Sequence, residues 1–207
     1  MITKDEMKAT ASDIIRTNPV DGQIKAAEFL IETLFKDAID KAEKPYTGHL
    51  YRVADGVPDK LKPAALLHDL VEDVEGWNFQ DLTDIGFDDY TVDAIRAVTK
   101  KAEGEPYFDA IERVGMTPHS IPLKRSDLKD NSNLFRFERL PMHWDFVRVT
   151  KYFLADKYLQ DVEAGIAKSG TNFVEWMKSK PENMHEWNLV STETSSKAAL
   201  PTPSSPQ

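Results

Sequence analysis

The sequence predicts an all-α fold, a compact bundle of about eight helices. Most segments carry apolar residues at the three- or four-residue spacing that places them on one face of a helix. No stretch of useful length alternates polar and apolar residues as a half-buried strand does. At 207 residues, the chain has the length of one domain with a small appendage.

The first three helices are predicted from their apolar faces and from the residues that end them. Met7–Arg16 is a short amphipathic helix that ends near Pro19, and Gln23–Lys41 is a longer one with a broad apolar stripe. Tyr46–Asp55 follows and ends at Gly56. We assign residues 1–22 to an N-terminal helical extension and residues 23–167 to the main domain.

The middle helices have clear start and stop signals. Leu61–Glu75 has a proline in its first turn, ends at a glycine and carries apolar residues that predict burial. Phe79–Ile85 is short and also ends at a glycine. Asp89–Lys101 begins with an acidic residue and ends with two lysines, as the helix dipole favours.

The last helices of the main domain lie between residues 107 and 167. Tyr107–Val114 stands between a proline and a glycine, a helix beginning near Ser120 contains residues 124–131, and His143–Ala167 is long and apolar on one side. Residues 168–190 are predicted to form a C-terminal helical segment. Its aromatic residues are expected to pack on the same domain, with docking on a partner as the alternative; they are Phe173, Trp176 and Trp187. Residues 191–207 are rich in Ser, Thr and Pro, which predicts a disordered tail.

Composition excludes several classes of function. The chain has 26 basic and 35 acidic residues, a net charge of −9, and lacks the basic stripe typical of proteins that bind long DNA or RNA. A small anionic nucleotide in a local cationic pocket stays compatible with this charge. There are no cysteines, which excludes disulfides, thiolate zinc sites and a cysteine nucleophile. The N-terminus has no apolar signal core, and no apolar run reaches the ~20 residues that span a bilayer. We expect a cytoplasmic protein.

The densest chemical motif lies on the predicted helix 61–75. His68-Asp69 is followed by Glu72-Asp73, and the four-residue spacing puts these polar groups on one strip of the helix. Three carboxylates and an imidazole on a buried helix are costly unless their charge is compensated. A divalent cation would compensate it and would also provide chemistry. The alternative is a solvated acidic face that serves solubility.

Two other segments supply further ligands. His49 follows Gly48 on the predicted helix 46–55, and Asp127 lies on the helix that begins near Ser120. With His68 and Asp69 they form a set of two histidines and two carboxylates, which suits Mn²⁺, with Fe²⁺, Co²⁺ or Zn²⁺ as alternatives. The remaining histidines have no such context, so one ion per site is expected.

Taken together, these motifs resemble the HD-domain metal-dependent phosphohydrolases, whose pattern is H…HD…D. The chain is most similar to the small alarmone hydrolases, stand-alone relatives of the Rel/Spo ppGpp hydrolase domain. The extra Glu72-Asp73 pair, the lead-in 40–46, the helix 107–113 and the segment 124–131 carry this resemblance, which covers roughly Ala26 to Tyr158. It departs at Asp40, where many long Rel/Spo enzymes have Arg.

The resemblance implies an HD-domain bundle that acts as a Mn²⁺-dependent 3′-pyrophosphohydrolase of (p)ppGpp-type nucleotides. His49, His68, Asp69 and Asp127 would hold the metal. Glu72 and Asp73 would position and activate the attacking water. For this last pair the alternative is an acidic pair that only orients the metal ligands.

Five further residues are candidate substrate contacts. Lys41 and Lys124 are the cations that would bind the phosphates. Tyr46 and Tyr107 would stack on a base or simply fill the core. Asn131, four residues after Asp127, resembles a family residue that contacts ribose or phosphate, and its alternative role is a helix C-cap.

Two other functions remain open on the sequence. One is a different HD phosphohydrolase, such as a nucleotidase, a dNTP triphosphohydrolase or an NADPH phosphatase. The other is a non-catalytic domain that binds an alarmone or a partner protein. A homo-oligomer and a cognate alarmone synthetase toxin are further candidate partners, whereas long nucleic acids and membranes are not expected.

Overall fold

The computed structural model describes residues 2–101 and 104–180, and its regular structure over these ranges is helical. The all-α prediction is therefore confirmed, with shorter and more numerous segments than the eight or so expected. The helices are α1 Lys4–Thr17, α2 Gly22–Leu34, α3 Tyr46–Asp55, α4 Lys62–Leu67, α5 Leu70–Asp73, α6 Phe79–Ile85, α7 Asp89–Val98, α8 Tyr107–Gly115, α9 Ile121–Ser132, α10 His143–Glu163 and α11 Phe173–Lys178. Three short 3₁₀ turns join them at Asp59–Leu61, Pro118–Ser120 and Leu134–Arg136.

The second helix is shorter than its apolar stripe predicted. It ends at Leu34 rather than Lys41, and residues 38–46 form a tight turn instead. The Asp40 carboxylate accepts hydrogen bonds from the backbone N–H groups of Ala42 (2.8 Å) and Lys44 (3.1 Å), and Glu43 has a positive φ of 60°. Aspartate competes with helical hydrogen bonding in this way because its short side chain reaches nearby N–H groups.

The helix predicted over 61–75 is interrupted at the pair His68-Asp69. α4 ends at Leu67 and α5 begins at Leu70, with His68 and Asp69 in the turn between them. In a continuous helix the carbonyl of Ala65 would accept from the N–H of residue 69. Here that carbonyl lies 2.7 Å from Nδ1 of His68. The ends of two other helices also differ from the prediction, since α7 ends at Val98 and α10 at Glu163.

The core surrounds α4, which packs against α2, α3 and α7. All of its residues from Pro63 to Leu67 are buried. α9 packs on α3 and α10, and it approaches the end of α3 very closely. A Cβ atom added at Gly56 would lie 2.1 Å from Oγ of Ser126, so any larger residue there would displace this hydroxyl from its hydrogen bond to the carbonyl of Val53. This contact brings the helix that carries His49 against the helix that carries Asp127.

The C-terminal segment packs on the domain, as expected. Phe173 and Trp176 are buried, and the ring of Phe173 stacks on that of Phe108 with 3.8 Å between centroids. Trp187, the rest of the predicted segment 168–190 and the predicted disordered tail 191–207 lie outside the described residues. Among the described residues, no helix combines the length and the apolar character that crossing a membrane requires.

Candidate metal centre

The structure brings three of the four predicted metal ligands to one point and places the fourth, Asp127, next to them. His49 comes from α3, His68 and Asp69 come from the turn between α4 and α5, and Asp127 comes from α9. One ligand atom each of His49, His68 and Asp69 lies within 4.8 Å of the others. Oδ1 of Asp127 is 3.6 Å from Nε2 of His49 and 3.7 Å from Nε2 of His68. The set therefore has one shared centre.

His68 has one ring nitrogen engaged and the other free. Its Nδ1–H donates to the carbonyl oxygen of Ala65, and its buried Nε2 has no hydrogen-bond partner among the described residues. This Nε2 lies 3.0 Å from Oδ2 of Asp69, outside hydrogen-bonding alignment. Burial alone would lower the pKa of His68, but the charges of Asp69 and Asp127 raise it well above its usual value. The centre thus strongly favours a positive charge at Nε2, which a proton or a metal ion would provide.

His49 is oriented by a carboxylate, so that its Nε2, like that of His68, faces the centre. Its Nδ1 lies 2.6 Å from Oδ2 of Asp130, so this nitrogen carries the proton, and Nε2 faces Asp127 and Asp69 at 3.6 Å and 3.8 Å. Such a partner fixes the tautomer of a metal-binding histidine and raises its basicity. Both histidines therefore direct Nε2 at the same two carboxylates.

Asp130 was not among the predicted site residues. The one signal in the sequence was its position three residues after Asp127, which places the two on one side of α9. Its carboxylate also binds Nε of Arg52 at 2.7 Å and the guanidinium of Arg136. Burial opposes ionisation, but the bonds from His49 and Arg52 lower the pKa of Asp130 to about 2. Asp130 is therefore an anion at neutral pH.

Two predicted substrate contacts bind a predicted metal ligand instead. Nζ of Lys124 lies 2.8 Å from Oδ2 of Asp127, and Nδ2 of Asn131 donates to Oδ1 of the same residue. Burial would lower the pKa of Lys124, but Asp127 raises it. Both side chains line the cavity described below. The geometry assigns them a role in holding Asp127, and their contact with substrate stays a prediction.

Tyr46 fills the core, which is one of the two roles considered for it, and its hydroxyl reaches the centre; stacking on a base stays a prediction. Its ring packs on Phe35, with 5.3 Å between centroids, whereas its hydroxyl donates to Asp69 at 2.5 Å and lies 3.4 Å from Asp73. Burial and these carboxylates raise its pKa, so the phenol stays protonated. Tyr46 thus orients two carboxylates of the centre from a fixed position in the core.

The predicted catalytic pair borders the centre, and its two members have different surroundings. Oε1 of Glu72 accepts a hydrogen bond of 2.7 Å from the backbone N–H of Lys100. Asp73 is exposed at the edge of the site beside Tyr46, and partial desolvation of its carboxylate together with the charges of Asp69 and Glu72 raises its pKa. Glu72 is therefore held by the chain segment after α7, whereas Asp73 is held through Tyr46.

A cavity of about 410 Å³ opens above the centre. Cationic side chains from five parts of the chain line it; they are Lys41, Lys100, Lys124, Arg136 and Lys151. Nζ of Lys151 lies 4.3 Å from the ring centroid of Tyr107 and 5.4 Å from that of Tyr152. The Tyr107 hydroxyl is buried with no hydrogen-bond partner among the described residues. Sequence reasoning did not assign Lys100, Arg136, Lys151 or Tyr152 to the site.

Comparison with known proteins leaves the resemblance stated above as a prediction. No protein-family model and no curated protein matches this chain. The site must therefore be judged on its own geometry.

Proposed function

We propose that this protein is a metal-dependent phosphohydrolase that removes the 3′-pyrophosphate from (p)ppGpp-type nucleotides. One observation carries the metal-dependent part of the proposal. Two histidines, each with Nδ1 engaged, direct their Nε2 atoms at the same two carboxylates. The resemblance to small alarmone hydrolases supplies the substrate class.

The residues fit a divalent ion. His49, His68, Asp69 and Asp127 would hold it, and this mixture of imidazole and carboxylate suits Mn²⁺, with Fe²⁺, Co²⁺ or Zn²⁺ as alternatives. When bound, such an ion polarises a phosphoryl oxygen and lowers the pKa of a bound water toward neutrality. The Nε2 of His68 supports this assignment, because it is buried, has no aligned hydrogen-bond partner among the described residues, and faces the carboxylates of Asp69 and Asp127.

Glu72 and Asp73 would take the proton from the attacking water. Each has a fixed position, Glu72 through the Lys100 N–H and Asp73 through the Tyr46 hydroxyl. A carboxylate held beside the reacting atoms acts as a general base when it reaches the proton directly or through one water. Comparing Glu72→Gln with Asp73→Asn would identify which of them is the base.

The cavity supports a polyanionic nucleotide as substrate. Its volume is within the range of small-molecule sites, and its lysines would neutralise phosphate charge away from the metal. Tyr107 and Tyr152 also line the cavity, where their rings would contact a base. The net charge of −9 would repel an anionic nucleotide from most of the surface. Binding would therefore depend on the lysines that line the cavity.

Product analysis tests the proposal. Full-length protein with Mn²⁺ is incubated with ppGpp, pppGpp, ppApp, dNTPs and NADPH, in parallel with an EDTA sample. His68→Ala is the test variant. His119→Ala is the matched control, because the Nε2 of His119 is also buried with no hydrogen-bond partner in the described part of the chain, and His119 lies outside the cavity lining.

Each outcome has one meaning. Pyrophosphate released from the alarmones, and lost in EDTA and in His68→Ala but not in His119→Ala, would support the proposal. Triphosphate from dNTPs or orthophosphate from NADPH would favour another HD phosphohydrolase. Mn²⁺ binding without turnover of any substrate would contradict catalysis and favour a binding module.

A further inference from the structure

Beside the metal centre lies a largely buried network of alternating charge. It contains two aspartates and two arginines, Asp40, Asp130, Arg52 and Arg136, and it lies between His49 and the turn 38–46. The side chains of Asp40 and Asp130 are 5% and 8% exposed, that of Arg136 is 15% exposed, and that of Arg52, at the edge, is 41% exposed. Because two negative and two positive groups face one another there, the network is neutral as a whole.

One end of the network is the metal ligand. Asp130 accepts from Nδ1 of His49 and from Nε of Arg52. Arg136 binds the same carboxylate through Nη1, and this Nη1 also donates to the backbone carbonyl of residue 130 at 2.9 Å. The position of Asp130, and with it that of His49, therefore depends on the Arg136 guanidinium.

The other end is the turn that presents Lys41. Nη2 of Arg136 binds Oδ2 of Asp40, whereas Oδ1 of Asp40 accepts from the N–H groups of Ala42 and Lys44. Asp40 thereby sets the shape of the turn on either side of Lys41. Lys41 lines the cavity, and its Nζ is 3.5 Å from the Tyr152 hydroxyl.

We propose that Arg136 is a positioning residue that couples His49 to the Lys41 turn through the carboxylates of Asp130 and Asp40. The proposal rests on the metal site of the proposed function. A planar guanidinium suits this task because its two Nη groups bind two carboxylates in fixed directions, which a lysine ammonium does not. A change at the Asp40 end should therefore alter metal binding at the His49 end, although Asp40 is no metal ligand.

Mn²⁺ affinity measured by calorimetry on the full-length protein tests the coupling. Asp40→Asn keeps the shape of the side chain and removes its charge, and Arg136→Lys keeps the charge and removes the bridge. Both should weaken Mn²⁺ binding about tenfold, the lower range for residues that orient metal ligands. Asp156→Asn is the matched control, since Asp156 pairs with Arg125 at 2.8 Å and its side chain is 16% exposed, without a link to His49.

Wild-type Mn²⁺ affinity in folded Asp40→Asn and Arg136→Lys would overturn the proposal. Loss of the helical circular dichroism spectrum in both variants, with Asp156→Asn still folded, would also overturn it and assign the network to stability alone. A second readout separates this proposal from the metal site itself. In metal-free protein, Asp40→Asn should shift the ring ¹⁵N resonances of His49, whereas unchanged resonances would contradict the coupling even if the wild-type protein binds no Mn²⁺.

Discussion

Two aspartates with buried side chains each bind two arginines, but the rest of their surroundings differs. Asp130 binds Arg52 and Arg136, and Asp145 binds Arg139 and Arg148. The third partner differs. For Asp130 it is Nδ1 of His49 at 2.6 Å, whereas for Asp145 it is the backbone N–H of residue 142, at the start of α10, at 2.8 Å.

The third partner decides what each aspartate does. Asp145 satisfies an N–H group at a helix start that would otherwise lack a partner, which is a contribution to folding. Asp130 holds a histidine whose other nitrogen faces the candidate metal centre, which is a contribution to the site. Two arginines around a buried carboxylate therefore do not by themselves indicate function.

Asp130→Asn should have the largest effect on the site. The amide oxygen still accepts from His49, but it is neutral and lowers the basicity of Nε2. We expect Mn²⁺ affinity to fall about 10- to 100-fold, measured by calorimetry below the melting temperature. Asp145→Asn is the control and should keep wild-type affinity. Equal affinity for the wild type and for folded Asp130→Asn would refute the role given to this residue.

Asp145→Asn should have its main effect on stability. The variant leaves two arginine charges beside a neutral amide in a buried position, which is unfavourable. We expect its melting temperature at pH 7 to fall by several degrees, followed by circular dichroism at 222 nm. An unchanged melting temperature would mean that Arg139 and Arg148 become solvated without any loss of stability.

The pH dependence should follow from the pKa of Asp145. The hydrogen bond from Arg139 holds this pKa well below its usual value, although burial opposes the shift. A lowered folded-state pKa gives stability that is present above the unfolded-state pKa, about 3.9, and is lost as the pH falls through the folded-state value. The gap in melting temperature between wild type and Asp145→Asn should therefore be widest near pH 6–7 and narrow below about pH 4. A gap that stays constant would contradict this assignment.

Lys151→Gln should give the smallest effect. Burial and the charges of Lys41 and Lys100 lower the pKa of Lys151, so these lysines repel one another until an anion enters. We expect KM for a polyphosphorylated nucleotide to rise a few-fold with kcat nearly unchanged, since a partly exposed ion pair contributes about 1 kcal/mol or less. Lys157→Gln on the same helix should leave both constants unaltered. A drop in kcat alone would argue against a binding role for Lys151.

Much of the fold and part of the site could be predicted from the sequence. Helical periodicity, a proline just before α8 and glycines at helix ends predicted α3, α6 and α8 to within a residue or so. Ligand-type residues on three segments, together with the resemblance to HD-domain phosphohydrolases, predicted a shared centre of His49, His68, Asp69 and Asp127. The helix signals are local, because they depend on the order of residue types along a few helical turns.

Other features were not predictable in this way. The early end of α2 is followed by the turn 38–46, which the Asp40 side chain shapes by accepting from the N–H groups of Ala42 and Lys44. The break between α4 and α5 accompanies the bond from His68 to Ala65. Lys124 and Asn131 bind Asp127, although their spacing suited a substrate contact equally well. In each case a polar side chain has several partners within reach, and only packing decides among them.

The sequence by itself determined the helical class, the order of the helices and the residues that could serve as metal ligands. Only the tertiary structure decided which nitrogen of each histidine is free, which charges form the buried network, and which lysines line the cavity. The physical reason is distance along the chain. Asp40 and Arg136 are 96 residues apart, and Lys41 and Tyr152 are 111 apart. No local sequence pattern brings such residues together. They meet because α3 contacts α9 closely at Gly56 and α10 packs on α9.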